Sequence, residues 1–438
     1  MERKEVITVT AKPLVEKLAT QQSGFYPWFI WGLAATFFLC EYFARVAPGV
    51  MVPQLMRDFH VNAMALGSLS AFFYYAYVSM QIPVGILVDR FGPHRLLTVT
   101  AVICGAGCLF FAHANTLLLA EIGRFLMGFG ASFAFVGSLK LAAVWFPASR
   151  FGLLAGLTQA LGMLGAAVGE APMSLTVGAI GWRHTMLLVA SIFVVLAILI
   201  GLLVRDKPSS YRPAQQHLAT GKDILAGLRT VLANPQSWWN AIYAGLLYAP
   251  TAAFAELWGV TYLQHAYGLS PHIAATAIGM IFIGWGVGGP LMGWLSDHLL
   301  RRKVIMLVSA AACLILMSSV LYLSHLPVIV LMCLLFLYGI ANTGVATAYA
   351  VSTEINPHSV AGTSLAFANM ASVLVGAIFQ PVIGWLLDLH WDGKIVQGIP
   401  QYSAGDFRMA LVLLPVCLIL SLIFACMVRE TYCRAHVA

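Results

Sequence analysis

Six of the ionisable side chains inside long apolar segments of this sequence are candidates for function, because a charge is costly there. They are Glu41, Arg45, Arg124, Lys140, Glu170 and Glu256. On insertion scales, a charge at the centre of a membrane-spanning helix costs roughly 2.5–3.5 kcal/mol, so such residues persist where they face a bundle interior or a water-filled cavity. They therefore predict a polar pathway through an otherwise apolar protein.

Two of the cations are candidates for binding an anionic group. Glu41 and Arg45 are four residues apart, which places them on one helical face as an ion pair. Arg45 would bind a substrate carboxylate, with Lys140 as a second cation. Alternatively, each extends its charged head to the membrane surface. Arg124 is either a proton-coupling or gating residue or a structural tie between helices.

The buried carboxyl groups are candidates for carrying a proton, because a desolvated carboxyl group exchanges a proton near neutral pH. Glu256 is the preferred carrier, since a proline interrupts its segment and Trp258 lies beside it. Glu170 and Glu41 are the other candidates, and the alternative for Glu256 is a hydrogen bond to a neighbouring helix. Trp258 and Asn369 complete the predicted substrate-binding set, although an asparagine inside a span equally suits a bond between helices.

The composition places these residues in a membrane protein. Of the 438 residues, 60% are hydrophobic and 9% are charged, whereas a soluble domain carries about 25% charged residues. So few charges cannot cover a surface that faces water, so lipid must be the main solvent. The eight cysteines are scattered without a metal-binding spacing. We therefore expect no metal and no cofactor.

Apolar runs of about 20 residues can cross a bilayer as helices, and they predict an all-α membrane protein with twelve spans in two six-helix lobes. The predicted spans are 28–52, 63–84, 95–114, 117–142, 151–174, 184–204, 237–263, 272–292, 304–324, 327–350, 360–387 and 408–428. The predicted organisation is an N-terminal tail 1–24, a lobe 25–204, a central loop 205–235, a lobe 236–428 and a C-terminal tail 429–438.

The loop charges predict the orientation. With the N-terminus in the cytoplasm, 17 of the 24 Lys and Arg residues fall on cytoplasmic tails and loops, and four fall on the opposite side. This bias is typical of cytoplasmic loops and accounts for the net charge of +7 without a nucleic acid. Residues 1–24 contain no apolar stretch of a cleaved signal. We therefore expect a multi-pass inner-membrane protein with both termini in the cytoplasm.

The two halves share one short motif, which predicts a gate. Gly85 and Asp89 follow span 2, and Gly293 and Asp297 follow span 8 at the same spacing. A glycine allows close helix packing, and the aspartate can pair with nearby arginines or a helix N-terminus. The full predicted gating set is Gly85, Asp89, Arg90, Gly92, Arg95, Gly293, Asp297 and Arg301. The alternative is that these are solvated loop charges.

The stretch 85–95 resembles the loop 2–3 signature of the major facilitator superfamily, G-x-L-x-D-R-x-G followed by basic residues. The pattern Arg124-x-x-x-Gly128-x-Gly130 is similar to the superfamily's fourth-helix motif. This resemblance implies two repeated lobes with a substrate site at their interface near the membrane midplane. Lys140 and the sequence Trp-Phe-Pro at 145–147 resemble the organic anion–cation symporter branch, while amino-acid-carrying and dipeptide-carrying members are the other similar branch.

These features predict a secondary transporter, with proton-coupled symport by alternating access. Cations at Arg45 and Lys140 opposite carboxylates at Glu170 and Glu256 favour a zwitterion, meaning an amino acid or small peptide. The alternatives are an organic anion, including a carboxylate-rich siderophore, or uniport. A membrane sensor is the alternative from another class. The sequence contains no G-x-S-x-G, P-loop or H-E-x-x-H pattern, which argues against an enzyme. We expect a monomer.

Overall fold

The structure is a computed structural model that describes residues 24–207, 221–323, 325–396 and 399–434. Ten helical runs in this part of the chain are long and apolar enough to cross a membrane. They are Phe25–Val50, Ala63–Met80, Pro93–Ala112, Leu117–Trp145, Phe151–Leu203, Pro271–Leu299, Arg302–Tyr322, Val328–Glu354, His358–His390 and Ala404–Met427. Shorter helices cover Val52–Phe59, Pro83–Phe91 and Gly221–Ala233.

One of the ten runs contains two spans. Phe151–Leu203 has 53 residues, which at 1.5 Å per residue is about 80 Å of helix, more than twice the thickness of a bilayer core. Gly181 breaks this run with φ 79° and ψ 160°, a conformation that glycine adopts without steric cost. The residues before Gly181 therefore form span 5, and those after it form span 6.

Span 7 is not among the ten helical runs because it is divided into three shorter helices. It consists of Pro235–Pro250, a π-helix over Thr251–Trp258 and a final helix Gly259–Tyr267. Pro250 lacks an amide hydrogen and disturbs the regular hydrogen-bond pattern of the helix at this point. With spans 5, 6 and 7 resolved in this way, the predicted twelve spans in two lobes of six are confirmed.

We name each end of the helix bundle after an aspartate that lies there. The Asp89 end carries the loops after spans 2 and 8, and the Asp58 end carries the loops after spans 1 and 11. At the Asp58 end, the Trp182 indole donates a 3.0 Å bond to Asp58, and the Arg183 guanidinium also donates to it. Partial burial raises the pKa of Asp58, but these two hydrogen bonds and the charges of Arg183 and Arg57 together outweigh it and lower the pKa below its usual value.

The lobes contact each other mainly along two helix pairs, span 2 with span 11 and span 5 with span 8, with a smaller contact between the end of span 1 and span 7. At the Asp58 end the first pair is tight, since a Cβ on Gly67 would lie 2.5 Å from the Gln380 carbonyl oxygen. Towards the Asp89 end, a Cβ on Gly85 or Gly362 would meet no atom of the described residues within 4 Å. The protein is therefore closed at the Asp58 end and its lobes separate towards the Asp89 end.

The connections contain two elements that the sequence did not predict, and parts of them lie outside the described residues. The central loop 205–235 contains the helix Gly221–Ala233, whose apolar side packs against span 11. An antiparallel pair of strands, β1 at Ile395–Val396 and β2 at Ile399–Pro400, adds to the predicted all-α fold. Of the predicted tails, residues 1–23 and 435–438 lie outside the described part of the chain, as do residues 208–220 of the central loop.

Candidate functional site

The predicted ion pair in span 1 forms, and it is buried. Arg45 donates to Glu41 one helical turn earlier, and the two residues are 3% and 1% exposed. A guanidinium that extended to the membrane surface would be far more exposed. Arg45 therefore points into the protein, as the substrate-binding hypothesis requires.

Aromatic rings surround this guanidinium. Its central carbon lies 4.2 Å from the ring centroid of Tyr42, 4.8 Å from that of Tyr77 and 5.2 Å from that of Phe73. Rings at this distance stabilise a desolvated cation by about 2 kcal/mol in favourable cases. Tyr42 lies one turn before Arg45 in span 1, and the other two rings come from span 2. We call Arg45, Glu41, Tyr42, Tyr77 and Phe73 the arginine box.

Glu256 faces the arginine box from the C-terminal lobe. It lies in the π-helix of span 7 and is 1% exposed. The Tyr248 hydroxyl donates a 2.8 Å hydrogen bond to Glu256 Oε1. A Cβ on Gly49, just after Arg45, would lie 3.1 Å from the Glu256 carbonyl oxygen. Spans 1 and 7 therefore meet here, with the backbone of Glu256 against the segment that follows Arg45.

Each of these charged groups keeps one buried atom without a hydrogen-bond partner in the described part of the chain. The atoms are Arg45 Nε, Glu41 Oε2 and Glu256 Oε2. Buried polar atoms are normally paired, so an unpaired one calls for an explanation such as a bound ligand or a proton. Together these atoms offer a donor and two acceptors to a small polar solute where the lobes meet.

An aromatic and amide network supports Tyr248 from behind. Its ring packs edge-on against Trp285 of span 8, with centroids 5.9 Å apart. The Trp285 indole in turn donates to Asn342 Oδ1 at 3.2 Å, and Asn342 donates to the Leu247 carbonyl at 2.7 Å. The orientation of Tyr248, and through it that of Glu256, is thus tied to spans 8 and 10.

Arg124 lies beneath the arginine box. Its two terminal nitrogens donate to the carbonyls of Ala44 at 2.9 Å and Arg45 at 3.1 Å. These carbonyls lie at the end of a helix, where intrahelical partners run out. Arg124 therefore holds in place the span 1 backbone that carries Arg45. This geometry fits a structural tie between helices, one of the two roles that the sequence left open for Arg124.

Glu170 lies apart from the arginine box, between the lobes. It is fully buried in span 5, and neither carboxyl oxygen has a partner in the described residues. A Cβ on Gly279 of span 8 would lie 3.8 Å from the Glu170 side chain. This position keeps Glu170 among the candidates for proton uptake, on a surface that moves when the lobes rearrange.

Three predicted substrate-binding residues lie away from the arginine box. Lys140 bonds Asp89 at 2.7 Å, and it lies about 24 Å along span 4 from Arg124 at 1.5 Å per residue. Trp258 donates to the Gln380 carbonyl at 3.1 Å and lines a 260 Å³ cavity at the Asp58 end. Asn369 donates a 2.7 Å bond across the lobes to Gln81.

The predicted gate residues are brought together in part. In the C-terminal lobe, Asp297 pairs with Arg302 at 2.6 Å and not with the predicted Arg301, because Arg302 begins the next helix and reaches back over its end. The predicted close packing at Gly293 is absent, since a Cβ there would meet no atom within 4 Å, as at Gly85. The tight glycine contacts between the lobes, at Gly67 and Gly384, lie at the Asp58 end instead.

The basic residues of the first motif make no ion pair among the described residues. Arg90 lies over the Phe91 ring at 5.5 Å, and Arg95 is exposed. Gly92 has φ 82°, and the next residues are capped by Asp206, which accepts from the His94 amide at 2.7 Å. Asp206 was not predicted, because its role depends on a contact 112 residues away in the sequence.

The comparisons with known proteins agree with this architecture. The sequence profile of the Major Facilitator Superfamily matches residues 34–381. The chain is 24% identical to the "Uncharacterized transporter YybO" of Bacillus subtilis, covering 92% of this chain and 94% of that protein. It is 23% identical to the "Probable sulfoacetate transporter SauU" of Cupriavidus necator, covering 87% and 97%. It is also 24% identical to the "Membrane sensor protein UhpC" of Escherichia coli, covering 85% and 88%.

A solved structure shares the fold. It is a bacterial homologue of the human lysosomal transporter Spinster in an inward-facing, unoccupied conformation, with a TM-score of 0.77 at 16% identity over 93% of this chain and 97% of that one. Since the superfamily profile covers most of the chain and its twelve spans form two lobes of six, the chain belongs to the major facilitator superfamily.

Proposed function

We propose that this protein is a proton-coupled symporter of a small organic anion that carries a carboxylate or sulfonate group. The observation that carries this proposal is Arg45 at the meeting point of the two lobes, a buried cation whose Nε has no hydrogen-bond partner among the described residues. A guanidinium binds a planar or tetrahedral oxyanion through a charge-assisted hydrogen bond. Release into water requires the lobes to part, which is what alternating access provides.

The position of Lys140 moves the substrate class away from the zwitterion that the sequence favoured. That hypothesis needed two cations and two carboxylates in one cavity, and Lys140 instead pairs with Asp89. An organic anion needs only Arg45, with Glu256 left to carry the proton. The name of the Cupriavidus relative, which refers to the organic anion sulfoacetate, supports this choice.

An amino acid or small peptide remains the second candidate. The observation in its favour is Glu256 Oε2, in the lobe opposite Arg45, an acceptor without a donor in the part of the chain that the structure describes. An ionised Glu256 would bind the ammonium group of a zwitterion while Arg45 binds its carboxylate. A symported proton and a substrate ammonium group would then compete for the same carboxyl group.

Proton coupling follows from the same geometry. In the closed cleft, a protonated Glu256 accepts from Tyr248 through Oε1 and can donate from Oε2. Once the cleft fills with water, the charged form is solvated and the proton leaves. Glu41 and Glu170 are the alternative carriers. Because of the loop charges, we place the Asp89 end on the cytoplasmic side of the inner membrane. We expect a monomer that is not an enzyme.

Uptake into liposomes tests this function. The purified protein would be reconstituted, and accumulation of labelled sulfoacetate, succinate and alanine would be measured with and without an imposed proton gradient. We expect gradient-driven accumulation of an anion that is lost when a protonophore is added. Accumulation of alanine alone would favour the zwitterion. Binding of these solutes with no transport of any of them would support the sensor class named by UhpC.

A further inference from the structure

A carboxylate of the C-terminal lobe caps a helix of the N-terminal lobe. Asp388, near the end of span 11, accepts from the Ala63 amide at 3.1 Å through Oδ1 and from the Met64 amide at 2.9 Å through Oδ2. These are the first two residues of span 2, whose amides have no acceptor within their own helix. The partial positive charge of a helix N-terminus also favours a carboxylate.

Tyr402 completes this contact. Its hydroxyl accepts from the Ala63 amide at 3.1 Å and donates to Asp388 Oδ1, and the residue is 5% exposed. We call Asp388, Tyr402 and the amides of Ala63 and Met64 the outer clasp. Two segments of the C-terminal lobe thus hold one helix end of the other lobe.

The outer clasp sits where the lobes are packed most tightly. A Cβ on Gly384, one turn before Asp388, would overlap the Ala63 carbonyl oxygen, and Gly67 lies equally close to Gln380. Access from the Asp58 end requires spans 2 and 11 to separate here. Separation leaves two amides and one carboxylate without partners until water reaches them, so the clasp favours the state in which this end is closed.

We propose that Asp388 and Tyr402 are gating residues that hold the Asp58 end closed and release span 2 when that end opens. This role is separate from the arginine box and does not depend on the substrate. It also differs from the predicted gate at Asp89 and Asp297, which lies at the opposite end of the bundle. Together with the separated lobes at the Asp89 end, the clasp accounts for the state that this structure adopts.

Nearby acidic residues have local partners instead. Asp392 accepts from the Lys394 amide at 3.1 Å within its own loop. Asp406 caps its own helix together with Ser403. Asp392 is exposed and only four residues from Asp388, so Asp392→Asn is a matched control for the same change in charge and shape.

Cysteine labelling from both ends tests the outer clasp. Thr261→Cys reports on the Asp58 end, because Thr261 lines the 260 Å³ cavity beside Tyr402 and is 6% exposed. Gly156→Cys reports on the Asp89 end, where a Cβ meets no atom within 4 Å. Each reporter is placed in the full chain with the three unburied cysteines replaced by serine, and a water-soluble maleimide is added in detergent. The three are Cys333, Cys426 and Cys433.

We expect Asp388→Asn to raise the labelling rate of Thr261→Cys by roughly fivefold, the effect of losing a typical helix cap, and to lower that of Gly156→Cys. Tyr402→Phe should act in the same direction but less, since the carboxylate still holds both amides. If Asp388→Asn does not fold, labelling of the Tyr402→Phe variant still tests the proposal. Asp392→Asn should change neither rate.

Two results would overturn the proposal. Unchanged labelling at both reporters in the clasp variants would show that the contact does not bias the conformation. Faster labelling at both ends would show a loosened fold and not a shifted gate. Neither result bears on whether Arg45 binds an anion, so failure of the clasp is distinguishable from failure of the proposed function.

Discussion

The Tyr248 hydroxyl donates a 2.8 Å hydrogen bond to Glu256, eight residues further along span 7. In a regular α-helix, residues eight apart are separated by about 12 Å along the axis. The π-helix Thr251–Trp258 changes the register between them and brings both groups to the lobe interface. π-Helical turns are often found at functional sites, and this one gives the candidate proton carrier its hydrogen-bond donor.

Glu256→Gln should abolish accumulation driven by a pH gradient while exchange of substrate across the membrane continues. Glutamine mimics the protonated side chain and can still accept from Tyr248, so the lobes can rock but no proton is released. Uptake and counterflow in the same liposomes measure the two activities. Glu121→Gln, a partly exposed carboxyl group at the start of span 4, is the control. Gradient-driven accumulation by Glu256→Gln would show that Glu256 is not the proton carrier and would leave Glu170 or Glu41 as the candidate.

Tyr248→Phe should change the pH dependence of uptake more than substrate affinity. The hydroxyl donates to the carboxyl group that we propose binds the proton, so without it the pH of half-maximal uptake should move. The ring and its contact with Trp285 are retained. A pH profile of initial rates is the measurement. A lower rate with an unmoved profile would mean that Tyr248 only supports the packing.

Arg45→Gln should raise the dissociation constant of the substrate by 10-fold or more, because a charge-assisted hydrogen bond contributes roughly 1.5–3 kcal/mol. Arg45→Lys should restore only part of the affinity, since a point charge replaces a planar fork. Calorimetric titration in detergent measures both.

The ion pair requires a matched control for this experiment. Removing Arg45 leaves Glu41 as a buried, unpaired charge, which destabilises a protein by about 3–5 kcal/mol. The double variant Glu41→Gln, Arg45→Gln should recover thermal stability without recovering affinity. If the double variant binds normally, Arg45 is a structural residue and the anion site lies elsewhere.

Asp89→Asn and Lys140→Met should both impair transport while changing the free energy of unfolding by less than about 1 kcal/mol, because the pair is partly exposed. Exchanging the two charges in Asp89→Lys, Lys140→Asp should recover part of the uptake rate. Arg150→Gln, an exposed cation at the same end, is the control. Normal uptake in both single variants would exclude this pair from gating.

Gly67→Ala should disfavour closure of the Asp58 end. The added methyl group would lie 2.5 Å from the Gln380 carbonyl oxygen, a backbone atom that cannot move aside cheaply. Overpacking of this kind costs about 1–3 kcal/mol, enough to shift the conformational equilibrium roughly fivefold or more. Gly362→Ala on the facing helix meets no atom in this state and should leave the uptake rate unchanged. Equal rates in both variants would contradict the close approach.

The twelve spans, their grouping into lobes and the inward position of the deep ionisable residues can all be predicted from the sequence, whereas Lys140, near a span end, is partly exposed. The physical reason is that lipid cannot hydrate a backbone or a charge. Apolar length therefore defines a span directly, and a charge within a span must face inwards. The pairing of Glu41 with Arg45 was equally predictable, because it depends only on a spacing of four residues within one helix.

Which of these residues work together depends on how the helices pack in three dimensions. Three contacts depend on distances between helices or on a π-helical register. They are the ion pair of Lys140 with Asp89, the ion pair of Asp297 with Arg302 where Arg301 was predicted, and the hydrogen bond from Tyr248 to Glu256. The outer clasp joins Asp388 to residues 325 and 324 positions away. No local pattern encodes such a contact, because its energy arises only when two helix ends from different lobes meet.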